Sequence, residues 1–133
     1  MRITSAFLCN HVEVQASMLY VHGGFPEWWT IPELPSQQQV GVGIVVEIGS
    51  GELGRDLGLD VEVSRVDGAA VLTRSEVRFR REPSDQYVAE APFYVPLPLS
   101  LGVRFDDVGP HLVTVTAAGV EPTRVRFGVR VAP

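Results

Sequence analysis

A run of apolar residues at period two, interrupted on its other parity by prolines, constrains this chain more than any other feature. In residues 91–105, APFYVPLPLSLGVRF, the odd positions Phe93, Val95, Leu97, Leu99, Leu101, Val103 and Phe105 are all apolar, whereas Tyr94, Pro96, Pro98, Ser100, Gly102 and Arg104 are mixed. Successive side chains of a strand point to opposite faces, so this is the pattern of a long strand with one buried face. Backbone amides alternate in direction too. Pro92, Pro96 and Pro98 share one parity, and their three missing donors therefore fall on one side of the strand. A strand of this kind has a neighbour on its other side only, and is a sheet edge blunted against pairing with another chain. The alternative is that residues 92–98 are extended but unpaired and only 99–105 joins a ladder.

The remaining segments follow the same period. Residues 2–9 place Ile3, Ser5, Phe7 and Cys9 on one parity, and 11–15 with 18–22 read as a hairpin or one kinked strand around Ala16 and Ser17. Residues 23–39 hold three prolines and two glycines, which forbid a long helix and disfavour a central strand, so they form a surface excursion. In 40–48 the positions Val40, Val42, Ile44, Val46 and Ile48 face one way, and Gly41 and Gly43 on the other face leave room for a large side chain, for which Trp28 or Trp29 is the candidate. Residues 49–56 form a loop with about one helical turn. Residues 57–64 and 71–81 alternate around Asp67-Gly68, a strong hairpin signal. Residues 82–90 are a polar loop, and residues 111–117 and 124–131 are two further strands joined by the loop 118–123.

Eight or nine short strands with turn signals between them and no helical period predict a single all-β domain over 1–133. An antiparallel immunoglobulin-like β-sandwich is the expected architecture, with a closed β-barrel as the alternative. The 133 residues carry 45% hydrophobic and 20% charged side chains, and no run approaches the ~18 apolar residues of a membrane helix. Met1 leads directly into a strand pattern with no secretory signal before it, so the expected address is cytoplasmic and no membrane is involved. A net charge of −5 argues against nucleic acid as a partner. All eleven basic residues are arginine, a compositional habit of GC-rich bacterial genomes. The single Cys9 has no disulfide partner and is expected as a small buried hydrophobe.

Chemistry is sparse. His11 and His22 are eleven apart, which is neither helical nor same-strand ligand spacing, and His111 stands alone, so no metal site is expected. No G-x-S-x-G elbow is present, and Gly49-Ser50-Gly51 lacks a following helix to supply an oxyanion hole, so no catalytic residue is assigned. Asp106-Asp107 is read as a turn whose carboxylates bond their own backbone, in preference to a calcium ligand pair. No cofactor is implied.

Two surface features remain. Trp28 and Trp29 are adjacent, and in an extended segment they point oppositely, so one is exposed on a Gly- and Pro-rich loop with Phe25 beside it. These three are the candidate contacts for a protein partner or small ligand. Arg74, Arg78 and Arg80 project from one strand and Arg124, Arg126 and Arg130 from another. In one sheet they would make a positive stripe, with Arg78, Arg80 and Arg126 as candidate anion contacts. The expected counterweight is cross-strand neutralisation by Asp60, Glu62 and Glu76. These features favour a non-enzymatic protein-binding or assembly module, self-association through an open strand edge included. The alternative is a small-ligand-binding protein or enzyme with a pocket near residues 23–35 and the Asp106-Asp107 turn.

The opening RITSAFLCNHVEV, the LYVHGG run, the VPLPLSL strand and the DDVGPHLVTV turn and strand together resemble a family of small bacterial proteins designated only as a domain of unknown function. That resemblance covers most of the chain and implies a bacterial, stand-alone, cytoplasmic all-β protein. It carries over no functional residue, and Trp28-Trp29 departs from the more generic loop expected at that place.

Overall fold

Alternation becomes strand throughout the computed structural model, which describes residues 1–24, 26–68, 70–83 and 91–133. Among the described residues there are nine strands: β1 (Arg2–Gln15), β2 (Met18–Gly24), β3 (Trp28–Ile31), β4 (Ser36–Ile48), β5 (Leu57–Arg65), β6 (Val71–Phe79), β7 (Phe93–Phe105), β8 (Gly109–Ala117) and β9 (Val120–Val131). A single 3-10 turn, Ser50–Glu52, is the helical turn expected in the 49–56 loop. The strands form two sheets, a four-stranded one in the order β2-β1-β4-β7 and a five-stranded one in the order β3-β9-β8-β5-β6. Both sheets have free ends, so the closed-barrel alternative is ruled out.

The proline-bearing strand is an edge. Among the described residues β7 pairs antiparallel with β4 alone, from Phe93 opposite Ile48 to Phe105 opposite Ser36, and Pro96 and Pro98 sit opposite Val45 and Gly43. The ladder is continuous from Phe93, which excludes the unpaired alternative for that half of the segment. β4 starts four residues before the expected position, because Ser36 to Gln39 find partners on the far half of β7.

One apolar cluster draws on both sheets. Leu8, Val40, Val42, Ile44, Val46, Leu97, Leu101, Val103 and Phe105 come from the four-stranded sheet; Trp29, Ile31, Leu59, Val61, Val63, Val113, Val115, Phe127 and Val129 come from the five-stranded one. Burial of this apolar surface at ~25 cal/mol per Å² is the main favourable term holding the sheets together. His111 belongs to the same layer, 1% exposed, with Nδ1 2.9 Å from the Gly109 carbonyl oxygen and its ring between Phe105 and Phe127. It is a core histidine satisfied by backbone.

Two bulges overturn simple parity. A register shift between Ile3 and Ser5 turns the chain over, so Ile3, Ala6 and Leu8 pack on the main core while Phe7 and Cys9 face the other way. The expectation that Ile3, Phe7 and Cys9 share a face therefore fails. A second shift at Val63/Ser64 leaves Val71 exposed and brings Leu72 against the core, the reverse of the faces read from the sequence.

Beyond Cys9, β1 loses β4 and continues with β2 as a two-stranded ribbon closed by Ala16 and Ser17, both at positive φ (50° and 62°). Positive φ at both turn residues matches the right-handed twist of a two-residue hairpin. The ribbon curls over the outer face of its own sheet, where Phe7, Cys9 and Val12 make a second small cluster with Leu19 against it, and β2 approaches β7. Here lies the answer to Gly41 and Gly43. A Cβ on Gly43 would fall 2.3 Å from the Phe7 ring, and one on Gly41 would fall 2.7 Å from the Cys9 carbonyl oxygen. Phe7 and Cys9, not a tryptophan, fill that space, and burial pushes the Cys9 thiol pKa up.

Candidate functional site

The tryptophan pair is divided by strand geometry. Residues 28–31 form β3, a short edge strand parallel to β9, with Trp28 opposite Gly128 and Thr30 opposite Arg130. No strand is legible here from the sequence, because a four-residue strand between prolines is too short for periodicity to show. The Glu27 carbonyl oxygen accepts the Gly128 N–H at 2.9 Å and the Ile31 carbonyl oxygen accepts the Ala132 N–H at 2.8 Å, so both ends of β3 are held by β9. Alternation then sends Trp29 and Ile31 into the core and leaves Trp28 on the outer face, 45% exposed. Phe25 lies outside the described residues.

Trp28 lies flat on the sheet because β9 has no side chain beneath it. A Cβ on Gly128 would fall 2.5 Å from the indole ring. The Arg130 guanidinium carbon is 5.7 Å from the ring centroid, and Arg130 Nε donates to Thr30 Oγ1 at 3.0 Å. This is cation–π geometry. Beside the indole runs an open cleft of about 310 Å³ lined by Glu27, Trp28, Gly109, Pro110, Arg126, Phe127 and Gly128. The DDVGP turn reaches the tryptophan through Gly109 and Pro110. Its carboxylates do not: Asp106 pairs with Arg104 at 2.9 Å and Asp107 with Arg65 at 2.5 Å.

The charges on this outer face fall into two groups. Arg74 pairs with Glu62 at 2.6 Å, Arg78 with Glu76 at 2.9 Å, and Arg80, just past the end of β6, with Glu82 and, at 3.8 Å, with Asp56. The Glu62 contact holds the Arg74 guanidinium above its usual range. On β9, no carboxylate among the described residues makes an ion pair with Arg124, Arg126 or Arg130. The register explains it. β9's outward residues lie beside Thr114, Leu112 and Pro110 of β8 on one flank and Trp28 and Thr30 of β3 on the other. Among the described residues Glu27 lines the cleft with Arg126 without making an ion pair to it, and the acidic side chains of β5 stand two strands away. The anion candidates are accordingly not one site: Arg78 and Arg80 are at the β6 side, and Arg126 stands beside Trp28 with β8 and β5 between.

Other candidate chemistry is absorbed by structure. Cys9 and His111 are buried, and a depression of about 550 Å³ around Met1, Arg2, Glu47 and Phe93 has its charged groups spent on one another. There Glu52 accepts from the Met1 ammonium at 2.5 Å and from the Gly49 N–H at 2.8 Å, and Arg2 pairs with Glu47. No helix among the described residues is long and apolar enough to cross a membrane.

The model of a family described as "Family of unknown function (DUF6941)" matches residues 4–130. No curated protein matches the chain.

Proposed function

The chain belongs to that family of unknown function, and from this premise we propose that it is a non-enzymatic protein-binding module, a sandwich of immunoglobulin-like type working in a bacterial cytoplasm. Its binding face is Trp28 with the β9 arginines, and its partner presents an acidic segment carrying an apolar anchor. One observation carries this reading. An exposed indole is held rigidly over Gly128 beside arginines that no described carboxylate neutralises, on a chain whose net charge is −5. Tryptophan and arginine are the residues that most often dominate binding energy at protein interfaces. An unpaired guanidinium row also supplies orientation and faster encounter for an acidic partner.

Capture from native lysate with the tagged protein and its variants tests the reading. A stoichiometric partner should be retained by wild type and by Arg78→Glu, and lost by Trp28→Ala and by Arg126→Glu. Equal capture by Trp28→Ala, or loss with Arg78→Glu alone, would overturn it.

Self-association is a second reading, and one comparison among strand edges favours it. β7 is blunted by prolines, β3 has four residues, and β6 carries Arg74, Glu76 and Arg78. β2, MLYVHGG, has no Asp, Glu, Lys, Arg or proline and exposes Met18, Tyr20 and Val21. An uncharged edge strand is a template for pairing with a second copy. Light scattering at high micromolar concentration would show a dimer that Val21→Pro abolishes; a monomer throughout removes this reading.

A further inference from the structure

We propose that His11 and His22 form a clip for a late first-row divalent transition-metal ion, presented on the outward side of the β1–β2 ribbon. Eleven residues of sequence separation conceal a direct pairing. With Ala16 and Ser17 as the turn, His11 stands opposite His22 in the antiparallel register, as Glu13 stands opposite Tyr20. The imidazole centroids are 5.8 Å apart and the rings are inclined by 36°. Ligating nitrogens sit about 2.0–2.1 Å from zinc, which puts each ring centroid roughly 3.1–3.2 Å from a shared ion. Two such centroids separated by 5.8 Å subtend about 135° at the ion, and a tetrahedral angle needs only a closure of under ~1 Å. Exposed imidazoles reach that by rotation about χ1 and χ2 without moving backbone.

The surroundings favour a cation. Glu13, two residues along the same face, brings Oε2 to 3.9 Å from His11 Nε2, and no arginine lies on the ribbon. The scaffold is also fixed where it needs to be: Val12 and Leu19 on the inner side tie the ribbon to Phe7 and Cys9, so the two histidines are not on a free arm. Among the described residues no group of three or more His, Cys, Asp or Glu side chains is assembled to hold a metal. The clip is therefore a two-imidazole site that leaves the remaining positions to water or to an incoming ligand. Nitrogen-rich sites of this kind rank copper above nickel and zinc.

Titration calorimetry with Cu²⁺, Ni²⁺ and Zn²⁺, each alone in a non-coordinating buffer, tests the proposal on the wild-type protein and on His11→Ala, His22→Ala and the double variant. Both residues are exposed, so the variants are expected to fold, and circular dichroism confirms it. One equivalent of Cu²⁺ should bind wild type at least about tenfold more tightly than either single variant, the loss expected when a chelate becomes a single ligand. Imidazole proton resonances of His11 and His22 should respond together to Zn²⁺ while those of buried His111 stay in place. Affinities in the single variants within twofold of wild type, or a response confined to one imidazole, would overturn it.

Discussion

The outer face of the five-stranded sheet carries arginines on β6 and on β9, and the two sets have opposite fates. On β6 each guanidinium meets a carboxylate: Arg74 with Glu62, Arg78 with Glu76, with Arg80 just beyond held by Glu82. On β9 the neighbouring positions across both ladders are Thr114, Leu112, Pro110, Trp28 and Thr30, and the guanidinium groups are left for aromatic stacking, a hydroxyl and solvent. The sequences of the two strands, VLTRSEVRF and VEPTRVRFGVRV, look equally two-faced. What differs is where the acids stand: Glu62 comes from the strand alongside, whereas Glu76 and Glu82 come from β6's own stretch of chain. A charged row is neutralised or left open according to the acids within its reach, and exposed ion pairs add little stability in either case.

Trp28→Ala should have the largest effect on the β9 side. A buried aromatic anchor is worth about 2 kcal/mol or more, so affinity for the captured partner should fall roughly thirtyfold or further while the unfolding midpoint hardly moves. Equal affinity would break the contrast between the rows. Gly128→Val comes next: its side chain would enter the space of the Trp28 ring, at a cost of about 1–3 kcal/mol in urea unfolding, with indole emission shifted as Trp28 is displaced. Unchanged stability and emission would mean that the indole does not rest on β9.

Charge reversal sharpens the comparison further. Arg126→Glu should slow association with the partner several-fold at low salt, with less change in dissociation, whereas Arg78→Glu should leave both rates alone. Glu62→Gln should convert one row toward the other by freeing Arg74, so that a weak, salt-sensitive anion response appears on β6 where wild type has none. The smallest effect concerns a paired carboxylate elsewhere. Glu52 is held below its ordinary pKa by the Met1 ammonium and the Gly49 N–H. Its folded value is lower than its unfolded one, so its contribution is complete above the unfolded value, near 4.3, and is lost as pH falls through the folded one. Glu52→Gln should flatten the acid limb of urea stability slightly, and an unchanged limb would deny the pairing.

How far the chain could be read without coordinates follows from what each signal depends on. The β7 edge was legible because amide direction is a property of one strand, and Pro96 and Pro98 declare it without knowledge of any neighbour. The core faces of β4 and β5 were legible for the same reason. Bulges were not: the turnover between Ile3 and Ser5 adds one residue to one strand, and nothing in RITSAFLC marks where. Contacts across strands were legible only where a turn fixes register. Asp67-Gly68 paired β5 with β6, and with them Glu62 of the one with Arg74 of the other. The hairpin around Ala16 and Ser17, one of the two readings of that stretch, places His11 opposite His22 by the same reasoning. Trp28 over Gly128 depends on a four-residue parallel strand, which has no period to detect.

The most direct test of the paired and unpaired rows follows the arginine Nε–Hε and indole N–H signals by ¹H–¹⁵N NMR while a capped peptide of alternating Glu and Leu is added. Arg126, Arg124 and the Trp28 indole should shift together and saturably, while Arg74 and Arg78 stay with their carboxylates. Shifts of Arg74 and Arg78 as large as those on β9, or a β9 row that does not respond, would contradict it.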